Sequence, residues 1–136
     1  MTTTATDQIA EILDQAKTIA VVGMSNSPLR PSYGVAAYLQ TNGYRVIPVN
    51  PNINGALGEK AVPFLKDIKD KIDIVDIFRR PDAVDEIVDQ AIELKVPVLW
   101  MQEDVVNEAA AERARQAGIT VIMDRCILKE HRKRHR

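Results

Sequence analysis

The sequence predicts a three-layer α/β sandwich, in which a five-stranded parallel sheet carries helices on both faces. Two observations point to this fold. Five runs rich in β-branched and apolar residues alternate with segments whose apolar residues recur at helical spacing. The runs are apolar at most positions, as expected of strands that are buried on both faces. Such alternation favours a Rossmann-like sheet of strand order 3-2-1-4-5, with ligands bound beyond the carboxyl ends of the strands.

The individual elements follow from the same pattern and from local stop signals. Gly43 and Gly118 end two helices, Asn107 caps the helix that follows it, and Pro81 suits a first helical turn. Pro48 cannot donate a ladder hydrogen bond, so we expect it where pairing of the second strand stops. The strands are predicted at residues 18–23, 44–50, 72–78, 96–101 and 119–123. The helices are predicted at residues 7–16, 33–42, 81–94, 107–117 and from 127 onward, with a turn-rich loop at 52–58 and a short helix or irregular connection at 60–71.

Length and composition favour a single domain over residues 1–136. The chain has 46% apolar and 27% charged residues, as ordinary globular domains do. Its single cysteine excludes an internal disulfide, which is typical of a reducing cytosol. No apolar run approaches the roughly 18 residues of a membrane span, and residues 1–7 lack the features of a secretory signal. We therefore expect a cytoplasmic protein that does not enter a membrane.

The net charge of −1 is unevenly distributed, because residues 129–136 hold five Lys or Arg and one Glu. A solvated helix end is the expected reading of this basic tail. It contains no aromatic residue that would stack on bases, so nucleic-acid binding is disfavoured. His131 and His135 are both in the tail. Ser-His-Asp catalysis, Cys-His catalysis and His-based zinc sites are therefore disfavoured, unless the tail folds back.

The loop after the first strand, which begins at Gly23 and ends at Ser32, is the first candidate for a ligand site. It leads into a helix, whose start presents unpaired N–H groups and a partial positive charge to a phosphate. Gly23 allows close backbone approach, Ser25, Ser27 and Ser32 offer hydroxyls, and Arg30 adds a charged donor. The loop matches neither G-x-G-x-x-G nor G-x-x-x-x-G-K-[ST]. Phosphate binding therefore stands beside the alternative of a plain turn with Ser32 as its N-cap.

The next two strand ends also carry candidate residues. The second ends in Val49-Asn50-Pro51, where dinucleotide-binding sheets usually place Asp or Glu against a ribose, so a nicotinamide cofactor is disfavoured. A rigid turn is the alternative there. The third ends in Phe78-Arg79-Arg80, which suits an anion beside a base or alkyl chain. The alternative is a core phenylalanine with one solvated and one ion-paired arginine, and for Arg80 we favour it.

The last two strands add Gln102, a polar residue just past the fourth strand, and a short polar segment after the fifth. Trp100, within the fourth strand, is expected in the core. Asp124 and Arg125 either pair with each other or cap the last helix. Cys126 is expected to be a small buried residue, although its thiol could form a mixed disulfide with a thiol-bearing ligand.

In this order, the motifs resemble those of the small, stand-alone coenzyme A (CoA)-binding domain proteins, which are similar to the CoA-binding domain of the succinyl-CoA synthetase α subunit. The resemblance runs from about Ala10 to the tail. It rests on Gly23 and on residues 30–33, 43–51, 73–81, 99–102 and 124–126. It implies a Rossmann-like protein that binds CoA, with no demonstrated reaction for most members.

The resemblance also implies which residues contact the ligand. They are Gly23, Met24, Ser25, Arg30 and Ser32 for the phosphates; Val49, Asn50 and Pro51 for the adenosine part; Phe78, Arg79 and Arg80 for the adjacent wall; and Gln102 for the pantetheine side. One departure is Asp104, which stands beside Glu103 where the family usually has a glycine. Two carboxylates there would repel an anionic ligand or force a different backbone.

Three functions follow as hypotheses. The first is a protein that binds CoA or an acyl-CoA without catalysis of its own. The second is an enzyme that acts on CoA esters or a related nucleotide through Asp124 or Cys126. The third is an interaction or regulatory protein with a degenerate pocket, suggested by Glu103, Asp104 and the basic tail.

Overall fold

A five-stranded, all-parallel sheet forms the middle layer of the computed structural model, which describes residues 5–135. In chain order the strands are β1 Thr18–Val22, β2 Arg45–Val49, β3 Gly55–Ala56, β4 Glu59–Lys60, β5 Ile74–Ile77, β6 Val98–Met101 and β7 Thr120–Ile122. The helices are α1 Ala5–Gln15, α2 Pro31–Thr41, α3 Val84–Leu94, α4 Glu108–Gln116 and α5 Ile127–Arg134. The short β3 and β4 form a separate antiparallel pair, which was not predicted. The predicted α/β class is confirmed.

The sheet has the order β2-β1-β5-β6-β7. A single parallel bridge joins Val62 to Val49 at the outer edge of β2. When Val62 is counted as the third strand, the order Val62-β2-β1-β5-β6 matches the predicted 3-2-1-4-5, and β7 extends the sheet by one more strand. The placing of residues 72–78 in that third position was wrong, because this segment forms β5 and pairs with β1. The topological switch point therefore lies between β1 and β5.

Helices cover both faces of the sheet. Because side chains alternate along a strand, Ile19 and Val21 face α1, α2 and α5, whereas Ala20 and Val22 face α3 and α4. The predicted helical spacing holds in α3, which buries Val84, Ile87, Val88 and Ala91. Asn107 caps α4 as predicted, since its side-chain oxygen accepts a hydrogen bond from the Ala110 amide at 3.1 Å.

Pro48 lies inside β2, opposite Val21, and not at the end of pairing as predicted. The Pro48 carbonyl accepts a hydrogen bond from the Val62 amide at 2.9 Å, so the polar groups of this residue point to the outer edge of the sheet. The N–H that proline lacks would also point there, because both groups of a residue in a parallel strand face the same neighbour. The ladder between β1 and β2 therefore loses no hydrogen bond.

The basic tail forms the helix that the sequence predicts, but one face of this helix is buried. Residues 127–134 form α5, in which Glu130 and His131 are buried. Arg125, Lys133 and Arg134 surround the Glu130 carboxylate with N–O distances of 3.7, 2.9 and 3.3 Å. Burial alone would raise the pKa of Glu130, but these cations lower it below its usual value. The expected solvated tail is thus wrong for this segment, since one face of α5 packs on the domain.

Parts of the terminal predictions lie outside the described residues, namely those on residues 1–4 and on residue 136. Within residues 5–135, no helix is long and apolar enough to cross a membrane.

Candidate ligand-binding site

A cavity of about 790 Å³ opens at the carboxyl ends of the strands, where the sequence places its candidate residues. A second cavity, of about 170 Å³, adjoins it. Both are lined by Gly23, Asn50 and Arg79. The other predicted site residues on the larger cavity are Ser25, Arg30, Ser32, Phe78, Arg80 and Gln102, and those on the smaller one are Val49 and Pro51. Met24 lines neither, because its side chain is wholly buried in the core.

Serine side chains hold the loop after β1 in place. The Ser32 hydroxyl oxygen accepts a hydrogen bond from the Ser25 amide at 2.9 Å, and the Ser25 oxygen accepts one from the Ser27 amide at 3.0 Å. Ser32 is therefore not the N-cap of α2; it is the second residue of that helix, and Arg30 precedes it in the cap position without a side-chain cap. Each hydroxyl here accepts from the backbone, so its own proton stays available to an acceptor.

Gly23 allows a close backbone approach, as predicted, but the group that approaches it is the Phe78 backbone and not a ligand. Its φ angle is +82°, and a Cβ atom there would lie 2.3 Å from the Phe78 carbonyl oxygen. The Gly23 amide donates to the Val49 carbonyl at 2.9 Å, and the Phe78 amide donates to the Val22 carbonyl at 2.8 Å. The glycine thus allows the ends of β2, β1 and β5 to meet at the base of the cavity.

The start of α2 provides anion-binding groups. Pro31 has no N–H, and the Ser32 amide has no hydrogen-bond acceptor among the described residues. Arg30 and Arg79 form no ion pair with any carboxylate in residues 5–135, whereas the exposed Arg80 lies 3.6 Å from Asp82. Arg80 is thus the ion-paired arginine of the alternative, which did not say which of the two arginines would pair. Two arginines without a carboxylate partner therefore line the larger cavity, beside a helix start that has an open amide at Ser32.

Asn50 acts as a clamp between two loops. Its Nδ2 donates to the Met24 carbonyl and its Oδ1 accepts from the Asn52 amide, both at 2.9 Å. Its own amide donates to the Val62 carbonyl, also at 2.9 Å. Asn50 borders both cavities, but its side chain already forms the hydrogen bonds of a rigid turn, which was the predicted alternative to ligand binding.

The ends of β6 and β7 form the opposite wall of the larger cavity. Gln102 is 5% exposed, and its Oε1 accepts a hydrogen bond from the Ile127 amide at 3.0 Å, which fixes the start of α5. Cys126 is buried beside it and lines the same cavity. Trp100 lies in the core, as expected, and its Nε1 donates to the Arg125 carbonyl at 2.8 Å.

The position where the family usually has glycine adopts a glycine-like backbone. Asp104 has a φ angle of +70°, in the left-handed region. Its amide donates to the Asp124 carboxylate at 2.8 Å. Asp124 and Arg125 do not pair with each other, since Arg125 faces Glu130. The neighbouring Glu103 pairs with Lys129 at 3.0 Å, and this hydrogen bond raises the pKa of Lys129.

A buried carboxyl group lies in the sheet below the cavity. Asp76 sits in β5 between Val21 and Trp100, two residues before Phe78. It is fully buried, and neither carboxyl oxygen has a hydrogen-bond partner among the described residues. Burial raises the pKa of Asp76 well above its usual value. The side chain is therefore a neutral acid over a pH range in which an exposed aspartate would be charged.

The tail folds back, but it brings the histidines to the other edge of the sheet. The His131 Nδ1 atom lies 2.7 Å from the Tyr38 hydroxyl, and the His135 ring stacks on the His131 ring at 4.1 Å. Both line a separate cavity with Lys17 and Tyr44, which precede β1 and β2. Neither histidine can therefore act on a ligand in the larger cavity.

Several cavity residues were missed from the sequence. Val35 could have been found, because it follows Pro31 by one helical turn on the buried face of α2. Ile53 and Val105 lie in loops, where no periodicity indicates a direction. Phe64, on the smaller cavity, is 48% exposed and also lies in irregular chain.

Comparison with known proteins decides the family. A model described as "CoA binding domain" matches residues 17–132. The chain belongs to this CoA-binding domain family. It is 47% identical over 124 residues to the uncharacterized protein YneT of Bacillus subtilis, covering 91% of this chain and 92% of that protein. It is also similar to the structure of a hypothetical protein from Pyrococcus horikoshii, with 39% identity, a TM-score of 0.92 and 98% of each chain covered.

A shorter match links the family to a larger enzyme. Over 74 residues the chain is 32% identical to an ADP-forming acetate–CoA ligase of Archaeoglobus fulgidus. The match spans 53% of this chain and 11% of the ligase. The predicted family membership is thus confirmed.

Proposed function

We propose that this protein binds CoA or an acyl-CoA in the larger cavity, without catalysing a reaction of its own. One observation carries the proposal. Arg30 and Arg79, from the loops after β1 and β5, face the same cavity and have no carboxylate partner in the described chain. Arginines left without an acidic partner beside an open helix start suit the diphosphate and 3′-phosphate of CoA.

The other groups of the cavity agree with the remaining parts of CoA. Val49 and Pro51 line the smaller cavity, which adjoins the phosphate side and suits the adenosine part. Gln102 lies on the far wall, where an uncharged pantetheine arm would run. The family assignment and the name of the related acetate–CoA ligase support the same ligand.

A nicotinamide dinucleotide fits less well. No carboxylate follows β2, and the Asn50 side chain that stands there already bonds Met24 and Asn52. A ribose hydroxyl would therefore lack the acceptor that dinucleotide-binding sheets supply.

The alternative is an enzyme that acts on CoA esters through Asp124 or Cys126. Cys126 lines the larger cavity, but Asp124 does not, and its carboxylate already accepts the Asp104 amide. We favour binding because Cys126 has no histidine beside it among the described residues. Hydrolysis or transfer of acetyl-CoA that disappears in Cys126→Ala would favour the enzyme instead. The single cysteine also supports a cytosolic setting.

The test is ligand-dependent stabilisation. Purified protein is heated with equal concentrations of CoA, acetyl-CoA, dephospho-CoA, NAD or NADP, and Kd is measured by calorimetry. We expect stabilisation by CoA and acetyl-CoA, less by dephospho-CoA, and none by NAD. A ligand at 100 times its Kd adds about 2.7 kcal/mol. Absence of any CoA effect, or an equal effect of NAD, would refute the proposal.

Variants localise the effect. Arg30→Gln and Arg79→Gln should each weaken CoA binding by about 1.5–3 kcal/mol, the usual value of a hydrogen bond to a charged group, or roughly tenfold to a hundredfold in Kd. Arg45→Gln is the matched control, because Arg45 is an exposed arginine at the amino end of β2, paired with Asp70 at 3.0 Å. Its Kd should not change.

A further inference from the structure

Cys126 occupies a position where a thiol can react with a ligand in the larger cavity. It follows β7, lines the cavity wall, and immediately precedes the eight-residue helix α5. The thiolate is the form of cysteine that attacks a disulfide. A fourth cavity, of about 440 Å³, also reaches Cys126.

An independent feature beside Cys126 points to a ligand. Gln102 is 95% buried, being 5% exposed, and its Oε1 is occupied by the Ile127 amide. Its Nε2, by contrast, has no acceptor in the described residues, although Gln102 lines the cavity. The Nε2 group is not fully buried, so the donor opens to the cavity, where a bound carbonyl can accept a hydrogen bond from it. The amide carbonyls of a pantetheine arm are such acceptors.

The charges of the cavity orient a ligand of this kind. Arg30 and Arg79 come from the loops after β1 and β5, whereas Glu103 and Asp104 follow β6. Phosphates are therefore drawn to the two arginines and repelled by Asp104, which has no ion-pair partner in residues 5–135, whereas Glu103 is already paired with Lys129. An uncharged arm suits the wall beyond β6. Cys126 lies two strands beyond β5, a separation of about 10 Å at the usual strand spacing. The thiol end of an arm that passes Gln102 thus arrives at Cys126.

We propose that Cys126 exchanges disulfides with the bound ligand, taking one CoA from CoA disulfide. This inference rests on the proposed function. The Cys126 thiolate attacks one sulfur of the CoA–S–S–CoA bond and forms a Cys126–S–S–CoA bond. The original S–S bond breaks, and the second CoA leaves as a thiolate that takes a proton from water. No further oxidant is needed, because the disulfide supplies the oxidising equivalent.

The experiment compares two disulfides. Reduced protein is mixed with CoA disulfide or, at equal concentration, with glutathione disulfide, and the intact mass and the released thiol are followed in time. We expect one CoA adduct per chain, formed about tenfold faster or more than the glutathione adduct, because binding positions the reacting sulfur. Acetyl-CoA, which fills the site without a disulfide, should slow the reaction, and dithiothreitol should reverse it.

Three variants test the geometry. Cys126→Ser should form no adduct but should keep its reversible stabilisation by CoA. Gln102→Glu retains an oxygen for the Ile127 amide but replaces the free donor by a carboxylate, so it should slow the reaction with CoA disulfide. Arg79→Gln should slow the reaction with CoA disulfide and leave the reaction with glutathione disulfide unchanged.

The outcomes separate this inference from the function on which it rests. If CoA stabilises the protein but CoA disulfide reacts no faster than glutathione disulfide, the exchange proposal fails and CoA binding stands. If CoA gives no stabilisation and both disulfides react equally, both proposals fail. An adduct that persists in Cys126→Ser would also overturn the exchange proposal.

Discussion

Replacing Asp76 by asparagine should make the protein more stable at neutral pH, by an amount that grows with pH. Asp76 is fully buried in β5, and neither of its oxygens has a partner in the described chain. Burial raises the pKa of Asp76 in the folded protein, whereas the unfolded chain has a pKa of about 3.9. Above about pH 4 the unfolded chain therefore releases a proton that the folded protein retains.

The size of the effect follows from proton linkage. Where the folded state holds one more proton, the free energy of unfolding falls by about 1.4 kcal/mol for each unit of rising pH, until the pH passes the folded pKa. Asparagine has a similar shape and does not titrate. Asp76→Asn should therefore match the natural protein near pH 4 and exceed it at pH 6. For a domain of this size, 1 kcal/mol corresponds to about 4 °C in Tm.

The assay is urea unfolding at half-unit steps from pH 4 to pH 8, for the natural protein and Asp76→Asn. The difference between the two isolates Asp76, because the other titrating groups cancel. A pH-independent difference for Asp76→Asn would contradict this prediction, because the buried group would then not hold its extra proton.

Three further predictions concern named backbone and side-chain features. Gly43 has a φ angle of +95° and open space around it, so Gly43→Ala should lower the free energy of unfolding in urea by roughly 1–2 kcal/mol, the cost of a left-handed alanine. Gly23→Ala should lower it by more, because the added Cβ atom would also clash with the Phe78 carbonyl. Equal losses in the two variants would contradict this contact. Asp104→Gly should raise the free energy of unfolding by about 1 kcal/mol, because glycine accepts the left-handed backbone, and it should also lower the Kd for CoA. Asp104→Asn removes only the charge, so it should lower the Kd without raising stability. An unchanged Kd in both variants would show that Asp104 does not repel the ligand. Burial, and then the charge of His135, lower the pKa of His131, so the free energy of unfolding should fall as the pH drops below about 6.5. His131→Gln should make this fall smaller in unfolding measurements. If the loss of stability at low pH is unchanged in the variant, another group is responsible.

Much of the fold could be predicted because the signals are local. The buried strands and the spacing of Val84, Ile87 and Val88 are periodic features that each segment carries by itself. The strand order was harder. The third position of the sheet is held by the single residue Val62, and one bridging residue has no periodicity. Residues 72–78, a clear strand, were therefore assigned to a place that they do not occupy.

Which edge of the sheet carries the candidate site could be predicted from the order of the residues alone. Parallel strands end at one edge, so the polar residues that follow them, such as Arg30, Arg79 and Gln102, had to gather there. The contacts that each residue makes at that edge depend instead on tertiary packing. Asn50 and Ser32 are held by backbone partners, while Arg30 and Arg79 have no carboxylate partner in the described chain. Those pairings join segments distant in the chain, and so do the burial of Asp76 and the placing of Cys126 beside Gln102. They depend on how the layers pack, which no local pattern of residues contains.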